Sequence, residues 1–554
     1  MKYFLGLLVL LLAGNLQAQL TTQKKEYTRA DSLRGSLRPE RNCYDVQFYE
    51  LQISVDTLRH TISGSVEMRF KALTDIRSLQ FDLNDSFKIE SLTYAGKGIP
   101  YTREFQAVFA AFLSPIAKDS TATLKIGFSG KPISAKRAPW DGGFVWAHDA
   151  NGKPWIGVAC EGLGASSWWP CKDHNSDEPD LGIRVRCTVP KGLVAVVNGK
   201  KEGETSNKDS TVTYSWLVTY PINLYNVSLN IADYAYFSDK YVNADGSVLD
   251  LNYYVLPYHY EKAIKQFEQV KPMMKCYEQY FGKYPFQRDG YKLVETPYLG
   301  MEHQSNIAYG NQYKPGYAGY DHSGIGLNFD YIIIHESGHE WWGNSVSCND
   351  MADMWLHESF CTYGEAVYVE CLYGPELAQQ YLNARKSEVG NHNPIRGQIR
   401  GVNEEGDGDM YRKGALMLNS IRTIVNNDSL WWMAIKSISD TAFKYKTTDG
   451  SDVVRYFCDY THANLKPVFE QYLDHADIPE LIYALKKKKG KTYEFTFHWK
   501  TDVENFEMPV LITVGNSRFR YNGSNEPKKE ILTLQKLSQF SIDQNATYFK
   551  LLKP

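Results

Sequence analysis

Two histidines four residues apart, followed by a glutamate after eighteen further residues, constrain the fold of this chain more than any other feature. The histidines are His335 and His339, and the glutamate is Glu358. Positions i and i+4 of a helix lie on one face, so both imidazoles can reach the same ion. The third ligand then has to come from a second helix. The spacing predicts one zinc ion per chain, held by His335, His339 and Glu358.

Glu336 lies directly after the first histidine. From there its carboxylate can take a proton from metal-bound water without ligating the metal, as a zinc hydrolase requires. Apolar residues 331–334 before the motif, and Trp341 with Trp342 after it, indicate a helix inside the core. Aromatic residues also surround Glu358, and a carboxylate in apolar surroundings needs a cationic partner. These neighbours favour a zinc hydrolase over a surface helix with incidental histidines.

Composition excludes other classes of protein. The formal net charge of −3 gives no electrostatic basis for binding nucleic acid. A length of 554 residues, with 39 tyrosines and 12 tryptophans, indicates several domains with large buried cores. The nine cysteines show no paired metal-binding spacing, and their odd number leaves at least one thiol outside any intramolecular disulfide. Zinc binding by cysteine is therefore not expected.

The first residues have the pattern of a secretory signal peptide. Lys2 gives a positive start, residues 4–13 form an apolar core, and Ala18 ends a plausible cleavage site before Gln19. The apolar core is too short to span a bilayer comfortably, and an uncleaved anchor is the alternative. No later run of about twenty apolar residues occurs, so no stable membrane span is expected. We expect an exported protein that is periplasmic or extracellular.

Hydrophobic periodicity divides the chain after the signal peptide, residues 1–18, into three domains. Residues 19–240 alternate apolar and polar positions in short runs, which predicts an N-terminal β domain. Residues 241–478 change to spacings of three and four and contain the zinc motif, which predicts a mostly helical catalytic domain. Residues 479–554 return to strand patterns, which predicts a small C-terminal β module.

Ordered motifs along nearly the whole mature chain resemble those of the aminopeptidase N family of zinc peptidases, the gluzincins that include leukotriene hydrolase. The matching segments are Tyr44-Asp45-Val46, Trp169-Pro170-Cys171-Lys172-Asp173, Val197-Asn198-Gly199 and His339-Glu340-Trp341-Trp342-Gly343-Asn344. The resemblance implies an α+β multidomain fold with an N-terminal β-sandwich or saddle-like domain and a thermolysin-like catalytic domain. The short C-terminal β module leaves no room for the large helical C-terminal domain of longer members, so a more open active site is expected.

The resemblance also assigns roles to individual residues. Gly300-Met301-Glu302 resembles the exopeptidase motif of the family, in which the glutamate binds the free α-amine of the substrate. Glu161 stands where the family places a second amine-binding group. Tyr411 matches the catalytic tyrosine that stabilises the oxyanion. The expected function is a zinc aminopeptidase acting on peptides with free N-termini, with Glu336 as the general base.

Four residues depart from the family pattern. Leu299 stands where the exopeptidase motif begins with Gly, and His303 stands where it ends with Asn. Ser166 replaces the Arg common before the Pro-Cys turn, and Ser359 replaces the Gly usual after the third ligand. None of these changes removes a metal ligand, the general base or the oxyanion donor. We expect them to affect substrate preference rather than chemistry.

Two other classes of function are compatible with these residues. One is a zinc hydrolase that is not an aminopeptidase, either an endopeptidase or an epoxide hydrolase on the same fold. The other is a non-catalytic relative that binds peptides. Cleavage of acetylated peptides would favour the first class, and failure of every substrate despite bound zinc would favour the second.

Overall fold

A computed structural model describes residues 26–552, so the predicted signal peptide at residues 1–18 lies outside the described residues. The described chain begins with two short helices, α1 (Arg29–Gly35) and α2 (Pro39–Asn42), which the sequence analysis did not predict. Arg41 of α2 is fully buried and donates a hydrogen bond of 2.6 Å to Asp82 of the β domain. Gly35 of α1 packs against the catalytic domain so tightly that a Cβ would lie 2.3 Å from the backbone nitrogen of Asn403. The segment therefore contacts both large domains.

The N-terminal domain consists of fifteen strands in sheets of eight, four and three strands. In chain order they are β1 (Tyr44–Asp56), β2 (Thr61–Ala72), β3 (Ile76–Asp82), β4 (Phe87–Tyr94), β5 (Lys97–Gly98), β6 (Tyr101–Glu104), β7 (Ala107–Ile116), β8 (Thr121–Gly130), β9 (Gly143–His148), β10 (Pro154–Ala159), β11 (Ile183–Pro190), β12 (Val194–Val197), β13 (Lys200–Ser206), β14 (Thr211–Val218) and β15 (Leu229–Ala232). Their spatial order is β13-β14-β11-β1-β2-β8-β4-β5 in the large sheet, β12-β15-β10-β9 in the second and β3-β7-β6 in the third. In β11, buried and partly exposed residues alternate, so one face packs into the core, as the sequence predicted.

The catalytic domain starts with a five-stranded sheet and continues as helices. Its strands are β16 (Ala235–Val242), β17 (Val248–Val255), β18 (Tyr291–Glu295), β19 (Gly300–Met301) and β20 (Ile307–Tyr309), in the order β16-β17-β18-β20-β19. Its helices are α3 (Tyr260–Gln266), α4 (Val270–Phe281), α5 (Tyr331–Gly338), α6 (Trp355–Tyr373), α7 (Pro375–Ala384), α8 (Arg412–Val425), α9 (Asp428–Ser437), α10 (Gly450–Thr461) and α11 (Lys466–Asp474). A small parallel pair, β21 (Val346–Cys348) and β22 (Lys446–Thr448), lies among them.

Two of these helices hold the zinc motif. The Asp330 side chain caps the start of α5 by accepting hydrogen bonds from the backbone of Ile332, at 3.1 Å, and Ile333, at 3.4 Å. Helix α6 is buried from Trp355 to Val369, which identifies it as the central helix of this domain. It ends at Gly374, whose φ of 95° lies in the left-handed region that favours glycine.

Strand β19 lies where the cores of the two large domains meet. Met301 is 5% exposed and packs in the same apolar cluster as the N-terminal strands. The Tyr298 side chain, just before β19, donates a hydrogen bond of 3.0 Å to the backbone carbonyl of Val158 in β10. Residues 298–301 thus contact the N-terminal domain, while β19 pairs with β20 of the catalytic domain.

The chain after the helices forms two further sheets. The strands are β23 (Glu480–Lys487), β24 (Thr492–Lys500), β25 (Glu507–Val514), β26 (Ser517–Ser524), β27 (Lys528–Thr533), β28 (Phe540–Ile542) and β29 (Lys550–Leu552). They pair in the orders β27-β24-β23-β29 and β26-β25-β28. The predicted fold class is confirmed, since residues 26–552 contain a β-rich N-terminal domain, a mostly helical catalytic domain, a C-terminal β module and no large C-terminal helical domain. The boundaries after residues 18, 240 and 478 stay predictions.

The state of the cysteines and the character of the helices agree with a chain that has neither described disulfides nor a described membrane-spanning helix between residues 26 and 552. All nine cysteines lie among the described residues, and each is a free thiol. Between residues 26 and 552, no helix combines the length and the apolar character needed to cross a membrane.

Candidate active site

Helices α5 and α6 bring the three predicted metal ligands together. The His335 and His339 Nε2 atoms lie 3.4 Å apart, and each lies 3.5 Å from Glu358 Oε2. Zinc bound tetrahedrally at about 2.0–2.1 Å from each ligand separates the ligand atoms by about 3.4 Å. The spacing of these three atoms therefore fits a zinc ion.

The surroundings of Glu358 support the same assignment. Glu358 is 2% exposed, and its Oε2 has no hydrogen-bond partner among residues 26–552. Burial raises the pKa of this carboxyl, but the adjacent His339 and His335 more than offset burial and hold the pKa below its ordinary value. A buried, ionised carboxylate oxygen without a donor needs a cation.

Hydrogen bonds from the other ring nitrogens orient the two histidines. His335 Nδ1 lies 2.8 Å from Glu365 Oε1, and His339 Nδ1 lies 3.0 Å from the Trp342 carbonyl oxygen. When Nδ1 donates these bonds, Nε2 keeps its lone pair for the metal. The Tyr381 hydroxyl donates a bond of 2.6 Å to the second oxygen of Glu365. Glu365 was not predicted from the sequence, although it lies two helical turns after Glu358 and therefore on the same face of α6.

Glu336 faces the exopeptidase strand. A Cβ on Gly300 would lie 2.9 Å from Glu336 Oε1 and 2.8 Å from Ile332 Cγ2, so β19 runs directly beside the carboxylate. Burial raises the pKa of Glu336 to about 7, against the opposing effect of His335 and His339. A carboxylate that titrates near neutrality is suited to accept a proton and then donate it.

Tyr411 lies beside the candidate metal ligands at the start of α8. Its ring stacks with that of His335 at an interplanar angle of 20° and a centroid distance of 6.0 Å. Burial, together with the negative charges of Glu358, Glu161 and Glu302, raises its pKa well above the ordinary value. The hydroxyl therefore stays protonated and remains a hydrogen-bond donor.

Glu161 and Glu302 converge beside the candidate metal ligands. One oxygen from each lies within 4.8 Å of the others in a cluster with Glu358. The Tyr225 hydroxyl donates a bond of 3.0 Å to Glu302 Oε1. Burial raises the pKa of Glu161 well above its ordinary value, and the neighbouring Glu302 and Glu358 raise it further. Carboxylates crowded in this way favour the binding of a cation, such as a substrate ammonium group.

The four departures from the family pattern have separate structural environments. Leu299 lines the cleft, whereas His303 is fully buried, and burial lowers its pKa to about 3. The Ser166 hydroxyl donates a bond of 2.6 Å to Asp173 Oδ2.

Ser359, the fourth departure, contacts the chain directly before Tyr411. Its hydroxyl donates a bond of 2.8 Å to the Met410 carbonyl, and a Cβ on Gly414 would lie 1.9 Å from the same hydroxyl. Ser359 therefore connects α6 to the residue that precedes Tyr411.

One cleft of about 870 Å³, between the N-terminal and catalytic domains, is lined by the three candidate metal ligands together with Glu336, Tyr411, Glu161 and Glu302. Glu405 and Arg412, which the sequence analysis did not select, also line it. Burial raises the pKa of Glu405, and the charge of Glu358 raises it further. Glu405 lies in a loop without regular periodicity, so no sequence pattern points to it.

Comparison with protein families identifies both large domains. The model described as the peptidase family M1 domain matches residues 265–472. The model described as the peptidase M1 N-terminal domain matches residues 45–225. Together the two matches cover more than half of the 554 residues.

Curated relatives include aminopeptidases from archaea. Leucyl aminopeptidase of Saccharolobus solfataricus is 23% identical over 413 residues, which cover 71% of this chain and 49% of that protein. Tricorn protease-interacting factor F2 of Thermoplasma acidophilum is 24% identical over 366 residues, covering 64% of this chain and 45% of that protein. The chain thus spans about half the length of these curated relatives.

Solved structures of similar fold include an M1 zinc metallopeptidase from Deinococcus radiodurans bound to a Tyr-Ser-Ala substrate. Its TM-score is 0.66 at 19% sequence identity, with 80% of this chain and 98% of that chain covered. A two-domain M1 zinc metallopeptidase bound to L-tryptophan also has a TM-score of 0.66 over the same shares of the two chains, at 19% identity. At this identity the similarity shows the fold.

Proposed function

The chain belongs to peptidase family M1, a family of zinc metallopeptidases, and from this premise we propose that it removes the N-terminal residue from peptides. The predicted family and its zinc cofactor are confirmed. The aminopeptidase activity is supported by the relatives named aminopeptidases and by the chemistry of the cleft.

The observation that carries the proposal is the cluster of Glu161 and Glu302 beside the metal ligand Glu358. Oxygens of these three carboxylates lie within 4.8 Å of one another. Glu358 would be neutralised as a ligand of bound zinc, and two crowded carboxylates would remain for an ammonium group to balance. A peptide with a blocked N-terminus would leave them without a cation. The site therefore favours substrates with a free α-amine.

The roles of the other residues follow from their positions. Zinc held by His335, His339 and Glu358 would act as a Lewis acid that polarises the scissile carbonyl and lowers the pKa of water. Glu336 accepts the proton of the attacking water at a carboxylate oxygen and delivers it to the leaving nitrogen. The Tyr411 hydroxyl donates a hydrogen bond to the carbonyl oxygen as negative charge develops there.

Glu302 and Glu161 position the substrate. By binding its ammonium group they place a single residue before the scissile bond, so each turnover releases one amino acid. Gly300 and Met301 form the strand beside Glu336, where the backbone of the substrate lies. The proposed substrates are short peptides in an exported compartment, periplasmic or extracellular, because residues 1–18 have the pattern of a signal peptide.

A panel of tripeptides, each with a free and an acetylated N-terminus, tests the proposal. We expect cleavage of free peptides only, loss of activity on removal of zinc, and recovery when zinc is restored. Cleavage of the acetylated peptides at comparable rates would identify an endopeptidase instead. Turnover of an epoxide but of no peptide would identify an epoxide hydrolase, and zinc binding without any turnover would identify a binding protein.

Variants of the carboxylates make the test specific. Glu302→Gln should raise KM for free peptides by about tenfold or more, since a charge-assisted hydrogen bond is lost. Asp321→Asn is the matched control, because Asp321 lines the same cleft but accepts bonds of 2.9 Å from Ser323. Equal effects of the two substitutions would contradict a specific role for Glu302.

A further inference from the structure

The cleft carries arginines on the side of the metal ligands away from the paired carboxylates. Arg385 and Arg412 line the cleft, with Glu388 between them. Glu388 is ion-paired with both guanidinium groups. We call these three residues the arginine end of the cleft, and Glu161 with Glu302 the acid end.

Contacts of the two histidines place these ends on different sides of the metal ligands. Glu302, Glu336 and His339 have ligand atoms within 4.8 Å of one another, so the acid end adjoins His339. His335 lies 2.8 Å from Glu365, whose other oxygen lies 3.6 Å from Arg385. The arginine end therefore adjoins His335.

Arg412 is the member of the arginine end with donors available to a ligand. Its Nε donates to Glu388, and its two Nη groups have no hydrogen-bond partner among residues 26–552. The Arg412 side chain is 41% exposed, against 14% for Arg385. Arg385 also donates a bond of 2.6 Å to the Tyr381 hydroxyl. Its Nε has no hydrogen-bond partner among residues 26–552, but this atom is buried and less accessible to a ligand than Arg412. Glu388 thus holds Arg412 in place while leaving the outer edge of the guanidinium free.

The positions of these groups match a short peptide with two charged ends. A peptide whose amine lies at the acid end has its scissile carbonyl near the metal ligands and Tyr411. The next residues continue towards Arg412, which directly follows Tyr411 in the chain. Arg412 lines the same cleft of about 870 Å³ as the candidate metal ligands. Each further residue extends a peptide by at most about 3.6 Å, and a cleft of this volume admits only a few residues between the scissile bond and this guanidinium.

We propose that Arg412 binds the α-carboxylate of the substrate, and that the enzyme is selective for di- to tetrapeptides with a free C-terminus. The proposal rests on the aminopeptidase function proposed above. A guanidinium recognises a carboxylate through paired N–H donors, and Arg412 has these donors free. Arg412 would then be a specificity residue that contacts the end of the substrate remote from the reacting atoms.

The test compares kcat/KM for peptides of two, three and four residues, each as the free acid and as the C-terminal amide. In the wild-type protein, at least one length should be cleaved about tenfold faster as the acid, the expected effect of one charge-assisted contact. In Arg412→Gln the ratio for that length should fall to within about twofold of unity, and Arg412→Lys should retain part of the preference.

Two controls separate the possible causes. Arg34 also lines the cleft, but it donates a bond of 2.7 Å to the carbonyl of Gly162, beside Glu161, so Arg34→Gln should leave the acid-to-amide ratio unchanged. An amino-acid anilide has no carboxylate, so Arg412→Gln should cleave it at the wild-type rate. No anilide turnover by the wild-type protein would refute the aminopeptidase function itself. Anilide turnover with equal cleavage of acids and amides, or a preference that survives in Arg412→Gln, would refute the role of Arg412 alone.

Discussion

Replacing Glu365 by glutamine should weaken zinc binding, although Glu365 does not contact the metal. Glu365 is 0% exposed, and its Oε1 lies 2.8 Å from His335 Nδ1. Burial raises the pKa of Glu365, but His335 and Arg385 hold it below its ordinary value, so the carboxylate is ionised at neutral pH. Glutamine has the same shape without the charge, and its amide can donate to Nδ1 and so favour the wrong tautomer of His335.

The magnitude follows from the strength of this hydrogen bond. Losing a hydrogen bond to a charged group costs about 1.5–3 kcal/mol. Each factor of ten in affinity corresponds to about 1.4 kcal/mol. The zinc Kd of Glu365→Gln should therefore rise about 10- to 100-fold, the range typical of residues that orient a metal ligand.

The assay is a titration of the metal-free protein with zinc against a chromophoric chelator, with circular dichroism to verify the fold. Glu370→Gln is the matched control, because Glu370 lies on the same helix and is also ion-paired with an arginine, Arg422, at 2.6 Å. Its side chain is 16% exposed and contacts neither histidine of the metal motif. Its zinc Kd should equal that of the wild-type protein. A folded Glu365→Gln protein whose zinc Kd stays within about twofold of wild type would refute the orienting role.

Three further variants test the catalytic and structural assignments. Glu336→Gln should retain zinc by elemental analysis and lose about 10²- to 10⁴-fold in kcat, the contribution usual for a general base, and undiminished turnover would remove Glu336 from the mechanism. Tyr411→Phe should lose about 10²- to 10³-fold in kcat with an unchanged zinc Kd, and a change in KM alone would show that it binds substrate rather than the oxyanion. His303 is neutral when folded, because burial lowers its pKa to about 3, but it protonates in the unfolded chain below its ordinary pKa of 6.5. Its contribution to the free energy of unfolding is therefore present above pH 6.5 and is lost as the pH falls from 6.5 towards the folded pKa. In urea unfolding at pH 7, 6 and 5, the free energy of unfolding of His303→Asn should therefore fall less steeply with acid than that of the wild-type protein, by about 1.4 kcal/mol per pH unit below 6.5. Parallel pH profiles of the two proteins would contradict this role of His303.

The convergence of His335, His339 and Glu358 could be predicted from sequence because their geometry is local, while their role as metal ligands stays a prediction. His335 lies in the last turn of α5, and His339 directly follows this helix with helical backbone angles, so both side chains lie on one face. Only the packing of α5 against the Glu358 helix had to be assumed. The amine-binding role of Glu302 depended on a motif, since nothing in its local spacing reveals that Tyr225, far away in the chain, bonds to it. The structure brings it beside Glu161, as the resemblance implied, while the roles of both residues stay predictions.

The groups that the sequence did not reveal depend on tertiary contacts. Arg412 gains its position only because Glu388, from the segment after α7, fixes its Nε. Glu405 lies in an irregular loop, where no period of two or of 3.6 relates a residue to a face. The two N-terminal helices were missed because they are short, and α2 has only four residues, too few for a periodic pattern.

Because of helices α1 and α2, the part of the chain that folds as a unit begins earlier than the part that matches the family. The N-terminal family match begins at residue 45, after both helices. A chain trimmed to that residue would leave Asp82 buried without Arg41, and losing one partner of a buried ion pair costs about 3–5 kcal/mol. It would also remove the packing of Gly35 against Asn403, which links the β domain to the loop beside Glu405. Residues that precede the family match thus contact both large domains that flank the cleft, and the smallest stable unit has to start before these residues.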